Sequence, residues 1–333
     1  MDERNLFLDY VRAVACILVI LFHYTKRFDE LFHTSGNWPV KVSWGTMAVS
    51  VFFLLSGYLI TVKNDEKTGL LAFVKKRIIR LYPDYIAAVV ITFIVTSLFL
   101  HERQVSLKEA LINLTMLETF FDVKYVDGAY WTLANELVFY LFFILVVVLL
   151  KKKNWLPFFG LAWVILLFVY NSYNGNSAVY VTIGRLIANQ YGHMFVVGFG
   201  VAFILHDMGN KIEKAAALIT VSAALVYQFV IFNVFYFIFF SVSVLMLIGC
   251  IIAHIKNVRV SEKVKKVLYP LEFIAGISYP LYLLHQNIGY AIMLQIQKHI
   301  CNSEVIIIIP CIVSVVLAYI LNKYIDKKIS QLK

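Results

Sequence analysis

An arginine and a histidine, Arg12 and His23, interrupt an apolar run near the start of the chain. At 100° per residue they differ by about 1100°, which leaves roughly 20° of offset, so on a helix they share one face about 16 Å apart along the axis. Asp9 and Cys16 fall within about 60° of the same line. An imidazole whose ordinary pKa is near 6.5 can take a proton from a hydroxyl or attack a carbonyl itself, which marks His23 as a general base or nucleophile. The plainer reading is a histidine hydrogen-bonded to a neighbouring helix, and Arg12 pairing with Asp9 one turn away.

A second apolar run opens Trp131-Thr132-Leu133-Ala134-Asn135-Glu136. Glu136 lies about 8 Å inside that run. A carboxylate beside an imidazole raises its basicity and fixes its tautomer, so His23, Glu136 and Asp9 form the candidate catalytic set; a structural pairing of Glu136 with a buried cation is the alternative. Lys75-Lys76-Arg77-Ile78-Ile79-Arg80 places two guanidinium forks one turn apart, between two apolar runs. Paired forks suit bidentate phosphate binding, although a basic flank touching lipid head groups has the same composition. Further along, Ser278-Tyr279-Pro280-Leu281-Tyr282-Leu283-Leu284-His285 puts Ser278, Tyr282 and His285 on one face, as acceptor contacts or as bonds between helices.

The elements that position these residues follow from composition. Of 333 residues 61% are apolar and 15% charged, and the mean hydropathy is +0.79. That much apolar side chain cannot fit inside one soluble core, so most of it faces lipid and the chain is read as an all-α polytopic membrane protein. A hydrocarbon core of about 30 Å needs roughly 20 apolar residues. That ruler gives ten spans, over 7–27, 43–62, 82–100, 131–150, 155–170, 187–206, 215–231, 234–254, 271–297 and 304–323. A polar stripe within such spans is costly, about 2.5–3.5 kcal/mol for each ionisable group at a helix centre, and must face protein or a wet cleft.

With the N-terminus in the cytoplasm, Lys63, Lys67, Lys75, Lys76, Arg77, Arg80, Lys151 to Lys153, Lys211, Lys214, Lys256, Arg259, Lys263, Lys265 and Lys266 all fall on the inner side. This is the positive-inside pattern, and it puts both termini in the cytoplasm. The net charge of +10 is thus a topology signal, and no basic, aromatic platform outside the bilayer points to nucleic acid. Residues 101–130 form the one sizeable outer segment. The four cysteines show no CxxC pair and no metal-ligand spacing, so no metal site is expected. The first run is too long for a cleavable signal and is expected to remain as the first span.

In order along the chain, Leu8-Asp9-Tyr10-Val11-Arg12-Ala13 with Phe22-His23, Phe52-Phe53-Leu54-Leu55-Ser56-Gly57-Tyr58, Arg77-x-x-Arg80 with Tyr82-Pro83, Trp131-Thr132-Leu133 with Glu136, and Ser278-Tyr279 with Tyr282 and His285 resemble acyltransferase family 3. Each motif alone is weak, while five in sequence are specific. The resemblance covers essentially the whole chain and implies a single transmembrane acyltransferase domain over 1–333. It implies transfer of an acyl group, usually acetyl from acetyl-CoA, to a hydroxyl of a cell-surface or lipid-linked carbohydrate, in the plasma (inner) membrane of a bacterium. The family's essential histidine falls on His23 and its arginines on Arg12, Arg77 and Arg80, which would bind the CoA donor. Trp131, Tyr279, Tyr282 and His285 would contact the acceptor.

Acetyl-CoA would be a co-substrate, with no permanently bound cofactor. Some relatives carry a fused extracytoplasmic hydrolase-like domain, and this chain is expected to act without one, directly or through a separate acyl-acceptor protein. Buried Arg, Glu and His along a stripe would also suit a transporter or flippase, although no paired broken helices mark matching halves. A lipid-binding scaffold is the third reading.

Overall fold

The computed structural model describes residues 5–34, 36–64, 66–173 and 175–330, and among them the regular structure is entirely helical. Among the described residues nine helices are long and apolar enough to cross a membrane: α1 Leu6–Phe32, α2 Gly45–Lys63, α3 Leu70–Phe99, α6 Gly128–Leu149, α7 Lys153–Tyr173, α10 Lys211–Ile231, α11 Val234–Ile255, α12 Glu262–Gln297 and α13, whose apolar part is Ser303–Ile325. Between them lie the short helices α4 Leu107–Asn113 and α5 Glu118–Phe121, and α8 Ala178–Leu186 and α9 Gly192–Leu205. The expected sixth span is α9. It has 14 residues, or about 21 Å of rise, and is shorter than the ruler because the chain turns through a left-handed residue at Ala188 before it begins.

Two helices begin earlier in the sequence than expected. The third span is expected from residue 82, but α3 starts at Leu70, so Arg77 and Arg80 stand on a helix and not in a loop. Charge disqualifies Lys75 to Arg80 from a hydropathy window without disqualifying them from a helix, since Lys and Arg are good helix formers. For the same reason α12 begins at Glu262, where the Ser261 side chain accepts from the Val264 N–H, nine residues before the expected start. The two spans with almost no loop between them are separate helices because Asn233 caps the second by accepting from the Tyr236 N–H.

The described chain forms two compact units. In the first, formed by 1–11, 49–74 and 133–260, α9 packs against α7 and α10. Every residue of α9 from Gly192 to Phe203 is buried. Phe139 stacks on Phe195 with ring centroids 4.5 Å apart. A Cβ on Gly57 would lie 2.3 Å from the Phe195 carbonyl oxygen, and one on Gly198 equally close to that of Leu54, so α2 and α9 cross backbone to backbone. The second unit, formed by 12–48, 75–132 and 261–333, holds most of α1, α3 and the outer segment together with α12 and α13, which pack along each other. Ile308, Ile312, Val316 and Ile320 recur every four residues on α13 and are all exposed. That stripe suits a helix facing lipid.

Candidate functional site

The ladder of α1 widens to π geometry over His23–Arg27, so that the Phe28 N–H bonds the His23 carbonyl five residues back. Side chains serve the carbonyls left behind: Thr25 Oγ1 donates to Leu21 O at 2.6 Å, and His23 Nδ1 lies 2.9 Å from Val19 O. The widened turn leaves His23 half-buried between the fully buried Ala13-to-Val19 face below and Tyr24 above. Tyr24 fixes the next helix. Its hydroxyl donates to the His285 carbonyl at 2.7 Å and lies 2.9 Å from Ser314 Oγ, and its ring occupies the space where a side chain at position 289 would stand. Gly289 is therefore required by the approach of α1 to α12.

His285 sits directly behind His23, fully buried. Its Nδ1 lies 2.8 Å from the Tyr282 carbonyl, and its Nε2 lies 3.0 Å from His23 Nδ1. A carbonyl only accepts, so His285 carries its proton on Nδ1 and, as a neutral ring, offers Nε2 as an acceptor. His23 then donates from Nδ1. The Val19 carbonyl demands the same proton position independently. Both contacts leave the lone pair of His23 on Nε2, the nitrogen that makes no hydrogen bond among the described residues. A neutral imidazole held in one tautomer with a free Nε2 is the arrangement a general base or an acyl-accepting nucleophile requires.

The other expected site residues divide between the two units. Glu136 lies in the first, where its Oε1 accepts from Ser56 Oγ at 3.0 Å and from the Tyr140 hydroxyl. Oε1 thus serves two hydroxyls, one of them on the Phe52-to-Tyr58 motif. Asp9 is buried on α1, and Arg12 is half-buried one turn later. Arg77 is half-buried and Arg80 exposed, one turn apart on α3.

The residues expected to contact an acceptor are largely engaged by the protein itself. The Tyr279 hydroxyl donates to Leu81 O at 3.1 Å and ties α12 to α3. The Tyr282 hydroxyl donates to Ala129 O at 3.0 Å and accepts from Thr132 Oγ1 at 3.1 Å, holding the turn that leads into Trp131. His285 has both ring nitrogens occupied. Trp131 remains half-exposed.

Arg103 and its surroundings were not anticipated. It ends a 3-10 turn, His101–Arg103, just beyond α3, and donates from Nε to Asn287 Oδ1 at 2.8 Å, two residues from His285. The signal in the sequence is that it is the one arginine in the outer segment of 101–130. Among the described residues no cluster of three or more His, Cys, Asp or Glu could hold a metal ion, and all four cysteines are free.

The profile of an acyltransferase domain, acyltransferase family 3, matches residues 5–323. O-acetyltransferase OatA of Staphylococcus aureus (strain NCTC 8325 / PS 47) is 27% identical over 367 residues, which takes in 97% of this chain and 56% of OatA. A Staphylococcus aureus (strain COL) protein named "Putative O-acetyltransferase SACOL0978" is 28% identical over 200 residues, 52% of this chain and 31% of that protein. The chain spans about half the length, or less, of the curated relatives it matches. No solved structure matches it.

Proposed function

The chain belongs to acyltransferase family 3, and on that premise we propose that it moves an acyl group, acetyl in the simplest case, from acyl-CoA on the cytoplasmic side to a hydroxyl of a cell-surface or lipid-linked carbohydrate. The observation that carries the reading is the free Nε2 of His23, held in one tautomer by His285 and Val19 in a chain that spans the membrane. His23 Nε2 takes the proton of the acceptor hydroxyl as its oxygen attacks the thioester carbonyl. Collapse of the tetrahedral adduct breaks the C–S bond, and the proton passes to the departing thiolate. An acyl-imidazole formed on the same nitrogen and then attacked by the hydroxyl is the two-step form of the same chemistry.

Arg77 and Arg80 supply two guanidinium groups one turn apart on α3 for the phosphates of the donor, and Arg12 lies on the His23 face of α1 along the path of the pantetheine arm. OatA is named for O-acetyl transfer, which supports acetyl as the group moved and oxygen as the acceptor atom. A bacterial plasma membrane and a glycan acceptor fit the same reading.

The test is transfer of radiolabel from acetyl-CoA to a panel of glycans by the purified protein in nanodiscs. Wild type should transfer label and His23→Ala should lose at least about 10²–10⁴ of the rate while keeping expression and detergent behaviour. Arg80→Lys keeps the charge and loses the fork, so it should raise the KM for acetyl-CoA. Label accumulating inside sealed vesicles without transfer would instead identify a carrier.

A further inference from the structure

Arg103 is half-buried and held in one orientation. Its Nε is bonded to Asn287 Oδ1, and Asn287 is itself fixed, its backbone N–H donating to Asp127 Oδ2 at 2.9 Å and its Nδ2 to Val126 O at 2.8 Å. Asp127 is fully buried and also accepts from the Ala129 N–H at 2.9 Å. That chain of bonds fixes the guanidinium plane. The guanidinium carbon lies 5.9 Å from the centre of the Tyr290 ring, which packs on Phe28 and Phe32 of α1. Among the described residues neither Nη1 nor Nη2 has a hydrogen bond or a carboxylate within ion-pair distance.

The groups around that fork are unfilled in the same way. The Gln286 side chain is 4% exposed and the Tyr290 ring fully buried; the two side chains face each other, but neither Gln286 Oε1 nor the Tyr290 hydroxyl has a hydrogen bond of normal geometry among the described residues. Gly128 keeps the space between them open: a Cβ there would lie 2.7 Å from Gln286 Nε2 and 3.2 Å from Arg103 Nη2. Buried polar groups left without partners mark a place where something else supplies them. Two parallel N–H donors on a fixed guanidinium match the two oxygens of a carboxylate or phosphate, while a hydroxyl and a carbonyl oxygen beside them match the hydroxyls of a sugar.

We propose that Arg103, Gln286 and Tyr290 form a subsite for an oxyanionic group, a carboxylate or phosphate carried on the hydroxyl-bearing acceptor, which the subsite seats so that a neighbouring hydroxyl reaches His23. The inference rests on the acyl-transfer reading for the acceptor's role, but the site itself stands on the geometry around Arg103. The same oxyanion chemistry is offered by a lipid phosphate, and the experiment separates the sources.

Binding is read first, by intrinsic fluorescence of the protein in phosphatidylcholine nanodiscs titrated with glucuronate, glucose 6-phosphate and glucose. Wild type should prefer the two anionic sugars, and Arg103→Gln should weaken them roughly ten- to a hundredfold while leaving glucose unchanged. Tyr290→Phe, which keeps the ring, should give a smaller loss. Equal affinity for glucose and glucuronate in wild type overturns the proposal. So does an anion preference that survives Arg103→Gln.

Acyl transfer is read second, with neutral and uronate-bearing oligosaccharides as acceptors. Arg103→Gln should raise the acceptor KM for the uronate alone. An equal fall in kcat on both acceptors places Arg103 on the reacting carbonyl or in the fold and overturns the subsite. If replacing phosphatidylcholine with phosphatidylglycerol abolishes glucuronate binding, the oxyanion held is the lipid's and the acceptor assignment falls. Failure of wild type to transfer label to any glycan counts against the acyl-transfer reading, whereas the binding arm still decides the site.

Discussion

At the scale of single residues, the chemistry depends on which nitrogen of His23 is free, and that is decided by a second histidine with no direct access to a substrate. His285 is a positioning residue. Glutamine at 285 keeps an acceptor oxygen near the place of Nε2, whereas phenylalanine keeps the bulk and removes the acceptor. We expect His285→Phe to lower kcat by on the order of a hundredfold with little change in the acetyl-CoA KM, and His285→Gln to recover part of the loss. The pH profile discriminates further: a role through His23 displaces the acid limb in His285→Phe, and a merely structural role leaves it where it was while lowering the amount of folded protein. The sequence made His23 visible because a histidine inside an apolar run has few cheap explanations. It made His285 visible too, by its seven-residue spacing from Ser278, but spacing gives a face and not a depth. A fully buried ring and one open to an acceptor have the same periodicity. Arg103 escaped for the opposite reason: a loop arginine is ordinary until the fixed Asn287 and the unfilled Gln286 and Tyr290 are seen around it.

At the scale of elements, the apolar ruler found a helix for each of its ten spans and misplaced the ends that carry charge. Leu70 to Leu81 and Glu262 to Pro270 fall outside the ruler because hydropathy measures transfer to lipid, while backbone hydrogen bonding and helix propensity extend the helix past the hydrocarbon edge. The Phe52-to-Tyr58 motif shows what a sequence pattern can withhold. Gly57 reads as an unremarkable small residue in an apolar run, but with Gly198 it lets α2 and α9 touch through their backbones. Gly198→Val should therefore force the two helices apart, at a cost of about 1–3 kcal/mol, and lower the yield and thermal stability of the detergent-solubilised protein. Gly249, whose Cβ position has nothing within 4 Å, is the internal control: Gly249→Ala should leave stability unchanged or slightly higher, because the added methyl meets no neighbour and restricts the unfolded chain. A similar loss in both variants would remove the crossing as the cause. Size-exclusion profiles after stepped heating read the difference directly.

At the scale of the whole molecule, the proposed reaction needs a donor and an acceptor that meet from opposite sides of a membrane, so the orientation of the chain is part of the chemistry. Basic residues around the start of α3, after α6 and around the start of α12 follow the positive-inside pattern, which predicts an even number of crossings with both termini inside. That even count requires α9 to cross as well; its 14 residues fall short of the ruler, and Gly192 to Phe203 are buried in protein. The arrangement can be read with the protein's own thiols. Cys301 is exposed between α12 and α13, whereas Cys16 is buried and Cys250 and Cys311 lie within spans. With the N-terminus inside, Cys301 should react with a membrane-impermeant maleimide added to intact cells, and Cys301→Ser should abolish that labelling. A cysteine placed at Lys67, between α2 and α3, in the Cys301→Ser background should label only after the cells are opened. The reverse pattern would put Arg77 and Arg80 on the outer side, away from any cytoplasmic CoA ester, and the acyl-transfer route from inside to outside would have to be abandoned. Labelling of neither position until the cells are opened would mean that α9 or another helix between them fails to cross. It would then be the even count, and with it the cytoplasmic C-terminus, that fails.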